Sequence, residues 1–123
     1  MDVSKGDIYW VRALDLDIEG SEQQKSRPYV ISSRTKINRL GRNVVGVPLS
    51  TKLHKAGSHR LLIQLQHMVP EVGTSRQLET SVALTDHIRV LDVNRLERPR
   101  MGRLSDTAIY GLEGALAYLF DIR

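Results

Sequence analysis

The sequence predicts a mainly β protein, a small curled sheet or barrel carrying a C-terminal helix. Two observations predict it. Five or more short stretches alternate apolar and polar residues, or run apolar, between breaks rich in Gly, Pro and polar residues. The C-terminal stretch LSDTAIYGLEGALAYLFDIR instead places its apolar side chains at helical spacing.

The elements follow in order. Gly6–Ala13, GDIYWVRA, is aromatic and alternating, hence a first strand, and LDLDIEGSEQQKS after it is a polar loop. RPYVISS is a second strand. The residue before a proline is pushed out of the α region, and a proline is tolerated where a strand begins, so Arg27 is expected at the strand mouth, held by a rigid neighbour. TKINRLGR reads as a basic connector. NVVGVPLS reads as a buried third strand interrupted by Gly46 and Pro48, the proline marking an edge or the strand's end. TKLHKAGSH is a second basic loop. In RLLIQLQ, Leu61, Ile63 and Leu65 alternate with Leu62, Gln64 and Gln66, as in a half-buried strand. HMVPEVGTSRQLE is loop-like, and TSVALTDHIRVLD holds one or two strands. Ser105 can cap the final helix, Asp106 suits its first turn, and Ile109, Leu112, Leu116 and Leu119 share one face. Gly111 and Gly114 weaken it and allow close packing.

At 123 residues the chain is expected to form one domain, 1–123, with a real core. The absence of cysteine excludes disulfides, a thiol nucleophile and cysteine-ligated metal sites. MDVSKGDIYW lacks the apolar core of a signal peptide, and no run approaches a membrane span, so a cytoplasmic location is expected. The net charge of +4 is unevenly spread. From Gln24 to Arg60 there are nine basic residues (Lys25, Arg27, Arg34, Lys36, Arg39, Arg42, Lys52, Lys55, Arg60) and no Asp or Glu. So one-sided a segment points to a polyanionic partner; a solvated basic face is the alternative. With one Trp, four Tyr and one Phe, phosphate contacts rather than extensive base stacking should carry much of the affinity.

Most enzyme templates are missing: there is no Gly-rich phosphate loop, no H-E-x-x-H and no nucleophile elbow. The histidines, His54, His59, His67 and His87, show no metal-site pairing, and no cofactor is expected. Arg27, Ser50, Thr51 and Glu22 remain as a constellation. An arginine fork with neighbouring hydroxyls suits a phosphate. On RNA the adjacent 2′-OH can attack that phosphate, and the protein then aligns the attack, stabilises charge and manages two protons without a metal. DNA, lacking the 2′-OH, would be bound and left intact. An anion-binding module could use the same parts.

KGDIYWV, GSEQQKSRPYVIS, VVGVPLST, SVALTDHIRVLDVNRL and MGRLSD, in that order and before a C-terminal helix, resemble the MazF/PemK family of bacterial toxins. The resemblance covers nearly the whole chain. It implies the small SH3-like β-barrel of the CcdB/MazF/PemK toxin type, a homodimer, and a cognate antitoxin that blocks the RNA groove. The implied activity is metal-independent, sequence-selective cleavage of single-stranded RNA (mRNA), leaving a 2′,3′-cyclic phosphate and a 5′-OH. By position, the family's catalytic arginine is Arg27 and its catalytic threonine falls on Ser50, a departure that keeps the hydroxyl and loses the stiffening methyl, with Thr51 adjacent as a substitute. Glu22 orients Arg27 or caps its loop. Asp86 matches a carboxylate that some members are proposed to use as a base, with a structural strand-end role as the alternative. His87 stands where the family usually has glutamine. The same resemblance places Gly20, Ser21, Gln23, Lys25, Lys52, His54, Lys55 and His87 along the RNA. Arginine rarely gives up its proton, so Arg27 is expected as charge stabiliser and proton donor, not base. Two rivals share the fold: a CcdB-like gyrase poison, and a catalytically weakened member that only binds nucleic acid or antitoxin.

Overall fold

A computed structural model of the chain describes residues 2–13 and 26–122. Eight strands, β1 (Asp7–Val11), β2 (Arg27–Ile31), β3 (Asn43–Ser50), β4 (Leu61–Ile63), β5 (Met68–Pro70), β6 (Ser81–Ala83), β7 (Arg89–Asp92) and β8 (Gly102–Leu104), form one antiparallel sheet. The order along it is β4-β6-β3-β2-β1-β8-β5, with β7 also on β3. A short helix α1 (Thr35–Asn38) lies between β2 and β3, and α2 (Asp106–Leu119) ends the chain.

Period-two alternation in the three central strands divides the apolar residues between the two faces of the curled sheet. Ile8, Val30, Val47 and Leu49 join one cluster, with Ala108 and Leu112 of α2 buried in it and Ile109 and Leu116 packed alongside. Tyr9, Val11, Tyr29, Ile31 and Val44 join a second cluster on the other face, closed by Leu91 and Leu96. Helix α2 starts as its sequence predicts: the Ser105 hydroxyl accepts from the Ala108 N–H at 3.2 Å. Lys5 pairs with Glu113 and ties the helix to the start of the chain.

Several expectations need correction. The connector 35–42 contains α1. Pro48 lies within β3, opposite Tyr29, not at an edge. It is tolerated because β3 leaves β7 after Gly46 and meets β6 at Leu49. In that gap the proline carbonyl accepts from Leu84 N–H at 2.9 Å, and no ladder N–H is required of it. The strand predicted over 60–66 ends at Ile63; Leu65–His67 makes a 3₁₀ turn, and Leu65 is exposed. The segment read as loop-like contains β5, which pairs with β8. There Gly102 is obligatory, since a Cβ would stand 2.3 Å from the Val69 carbonyl oxygen. Gly111 touches Leu61 as expected, but Gly114 has nothing within 4 Å.

The basic segment does not form one face. β2 and β3 carry Arg27 and Ser50 to one end of the sheet, and the 34–42 connector with Arg34, Lys36, Arg39 and Arg42 lies at the other. Eight residues of β3 put roughly 23 Å between the two groups. Arg39 and Arg42 there pair with Asp2 and Asp92. Among the described residues no helix is long and apolar enough to cross a membrane.

Candidate active site

Where β2 begins and β3 ends, a groove of about 730 Å³ opens between those strands and the 75–79 segment. Local sequence explains its first wall. Pro28 locks the backbone beside Arg27, and β1 holds both through the Val11–Arg27 and Trp10–Pro28 pairs. Across the sheet β3 delivers Ser50, and the chain then turns through Thr51 and Lys52 into a 3₁₀ turn at Leu53–Lys55. Arg27, Ser50, Thr51, Lys52 and Lys55 all line the groove. The structure thus brings together five of the residues expected from sequence, from two segments more than 20 positions apart.

Arg27 is half-buried, and its Nε and Nη1 are enclosed with no hydrogen-bond partner among the described residues. Burial lowers its pKa from the ordinary arginine value, and the neighbouring Tyr29 offsets part of this. A buried polar group without a partner costs stability, so a guanidinium held this way is poised to receive an anion. Ser50 is buried; its Oγ accepts from Lys52 N–H at 3.2 Å, which fixes the side chain and leaves its O–H to donate. Thr51 is exposed.

Asp86, His54 and His87 do not line the groove. Asp86 sits in the 3₁₀ turn Thr85–His87, where Arg60 donates to both its oxygens, Nε to Oδ1 and Nη2 to Oδ2, each at 2.8 Å. That fork holds the carboxyl well below the ordinary range, at about 2. His59 and His87 approach the same carboxylate at 3.7 and 3.8 Å. Burial lowers the His87 pKa; Asp86 opposes this, and Arg60, Arg27 and Lys55 reinforce it. His54 is exposed. Gly20, Ser21, Glu22, Gln23 and Lys25 lie outside the described residues.

Sequence reasoning passed over other residues of the groove, among them Trp10, Ser75, Arg76, Gln77, Glu79 and Ser81. Trp10 reads as a strand residue, and Arg76 sits in a stretch with no pattern of its own. Only the fold joins them. Among the described residues no group of three or more His, Asp or Glu side chains is arranged to hold a metal ion.

The fold is shared with solved toxin structures. A mycobacterial endoribonuclease in complex with its cognate antitoxin superposes with a TM-score of 0.70 at 20% identity, covering 98% of this chain and 97% of that one. The MazE–MazF structure from Deinococcus radiodurans gives 0.69 at 17% identity and covers all of both chains. The Mycobacterium tuberculosis toxin MazF-mt6 gives 0.64 at 23% identity, over 95% of this chain and 98% of that one. No curated protein gives a significant sequence match. The model of the PemK-like, MazF-like toxins of type II toxin–antitoxin systems matches residues 4–120, which span every strand and both helices. The chain therefore belongs to that family, a family of RNase toxins.

Proposed function

We propose that this protein is the endoribonuclease toxin of a toxin–antitoxin pair, cutting single-stranded RNA by attack of the 2′-OH on the adjacent phosphate. The observation that carries the reading is Arg27: a half-buried guanidinium with two enclosed donor nitrogens that no described residue partners, beside a groove that also holds Ser50, Lys52 and Lys55. In the proposed step the 2′-oxygen forms a bond to phosphorus and the P–O5′ bond breaks. The 2′-OH gives up its proton to a base, and the departing O5′ takes one up. The products are a 2′,3′-cyclic phosphate and a 5′-OH, and no water or metal enters the balance. Arg27 stabilises the added phosphorane charge, Ser50 donates to a phosphoryl oxygen, and Lys52 and Lys55 hold flanking phosphates. Asp86 anchors Arg60 and the 85–87 turn; a carboxyl of pKa about 2 is a poor proton acceptor near neutrality.

Family membership supports a cognate antitoxin as partner. We further propose a homodimer in the cytoplasm, in which a two-fold axis joins two basic strips into one longer groove. The test is a long unstructured RNA incubated with purified protein in EDTA, beside the matching DNA. Discrete RNA fragments with 5′-OH and cyclic phosphate ends, and intact DNA, are expected. Fragments with 5′-phosphate ends, or cutting only when a divalent cation is restored, would refute this chemistry.

A further inference from the structure

The groove contains one group that phosphate chemistry leaves unused. Trp10, the only tryptophan of the chain, lines it from β1, and the Arg76 guanidinium carbon lies 4.1 Å from the indole centroid. Glu97 fixes this plane a second time, its carboxylate accepting from Arg76 Nε at 2.8 Å and Nη2 at 3.1 Å. Glu97 is itself fixed to the same strand, since its N–H donates to the Trp10 carbonyl at 2.9 Å. Three residues far apart in sequence thus form one rigid unit, and a planar side chain clamped on two sides has little rotamer entropy left to lose on binding.

The charge of the unit indicates what it binds. Arg27, Lys52 and Lys55 make the other wall cationic, whereas the Arg76 charge is matched by Glu97. Arg76 is therefore ill suited as a further phosphate clamp. It offers a flat, charge-compensated surface, the guanidinium face turned away from Trp10, and one donor, Nη1, that Glu97 does not use. Guanidinium planes and aromatic rings are the surfaces on which unpaired bases stack.

We infer that Trp10, Arg76 and Glu97 form a nucleobase subsite, on which one unpaired base of the RNA stacks while Arg27 engages a phosphate. This rests on the ribonuclease reading for its ligand and adds a determinant of cleavage-site preference. Arg76 presents the plane; Glu97 and Trp10 position it.

The test uses short 2′-O-methyl RNA homopolymers, which cannot be cut, titrated into the full chain and followed both by fluorescence of the single tryptophan and by anisotropy of labelled RNA. Wild type should show a tryptophan change that saturates with binding. Arg76→Ala should weaken binding about tenfold, within the range found when a stacked base loses its platform. Arg76→Lys keeps the charge and loses the plane, so it should bind as weakly as Arg76→Ala. On cleavable RNA, Arg76→Ala should still cut but with altered site preference. Wild-type affinity in Arg76→Lys would show that charge alone matters and overturn the subsite. So would binding that leaves the tryptophan signal unchanged, or an Arg76→Ala defect confined to antitoxin binding. Cleavage by wild type with unchanged sites in Arg76→Ala would sink the subsite alone; tryptophan-reported binding without any cleavage would sink the ribonuclease reading alone.

Discussion

Replacing Asp86 with asparagine separates an anchor from a general base. The wild-type carboxyl falls from an ordinary 3.8 to about 2, chiefly because Arg60 donates to both its oxygens. A difference of nearly two pH units corresponds to at most about 2.5 kcal/mol. The side chain is 32% exposed, and water screening brings the expected contribution to about 1 kcal/mol. The sign is set by the depressed folded value. Stability from the pair is complete above about pH 4 and is lost as the pH falls through about 2. Asp86→Asn should therefore be about 1 kcal/mol less stable at pH 7, with the gap closing toward pH 2. Urea unfolding at pH 7, 5, 3 and 2 measures it. Single-turnover RNA cleavage at pH 7 should fall less than about fivefold, whereas loss of a general base costs about 10²–10⁴. Equal stability at pH 7 would refute the anchor, and a rate loss of a hundredfold in a folded variant would make Asp86 part of the chemistry.

Ser50→Ala should cut RNA about 10²-fold more slowly, the cost of one fixed donor at a developing oxyanion, while Thr51→Ala stays near wild type; single-turnover kinetics of the pair decide which hydroxyl acts. Gly102→Ala should lose about 2–3 kcal/mol or more, because its Cβ meets the rigid Val69 backbone, and thermal unfolding would show it. His87 resists protonation in the folded chain, so the unfolded chain takes the proton first as the pH falls below about 6.5. Its contribution is complete above that value and declines below it. His87→Gln should flatten the stability profile on the acid side of 6.5, read by urea midpoints at a series of pH values.

Those parts of the fold with local signals were legible in the sequence. β1, β2 and β3 announce themselves by alternation and by Arg27-Pro28, and α2 by its spacing and Ser105 cap. β5 and β8 have three residues each, too few for a period, and exist because they pair with each other while β8 also pairs with β1. Pro48 misled because the partner change along β3 is a property of the whole sheet. The basic segment misled for the same reason, since β3 divides it between two ends. At the groove, Arg27, Ser50 and Thr51 lie at strand-end and turn signals, whereas Lys52 and Lys55 were reached through the family resemblance. The Arg60–Asp86, Arg76–Glu97 and Arg76–Trp10 contacts span 21 to 66 positions and leave no trace in spacing or composition.

The central claim is that the Arg27 guanidinium stabilises charge on a scissile phosphate. Single-turnover cleavage of one defined RNA by wild type and Arg27→Ala, with affinity for the uncuttable 2′-O-methyl analogue measured alongside, tests it most directly. A rate at least about 10³-fold lower in the variant, with a much smaller loss of affinity, is the expected result, because a contact strengthened in the transition state lowers the rate more than binding. Cleavage by Arg27→Ala at the wild-type rate and the same sites would contradict the account.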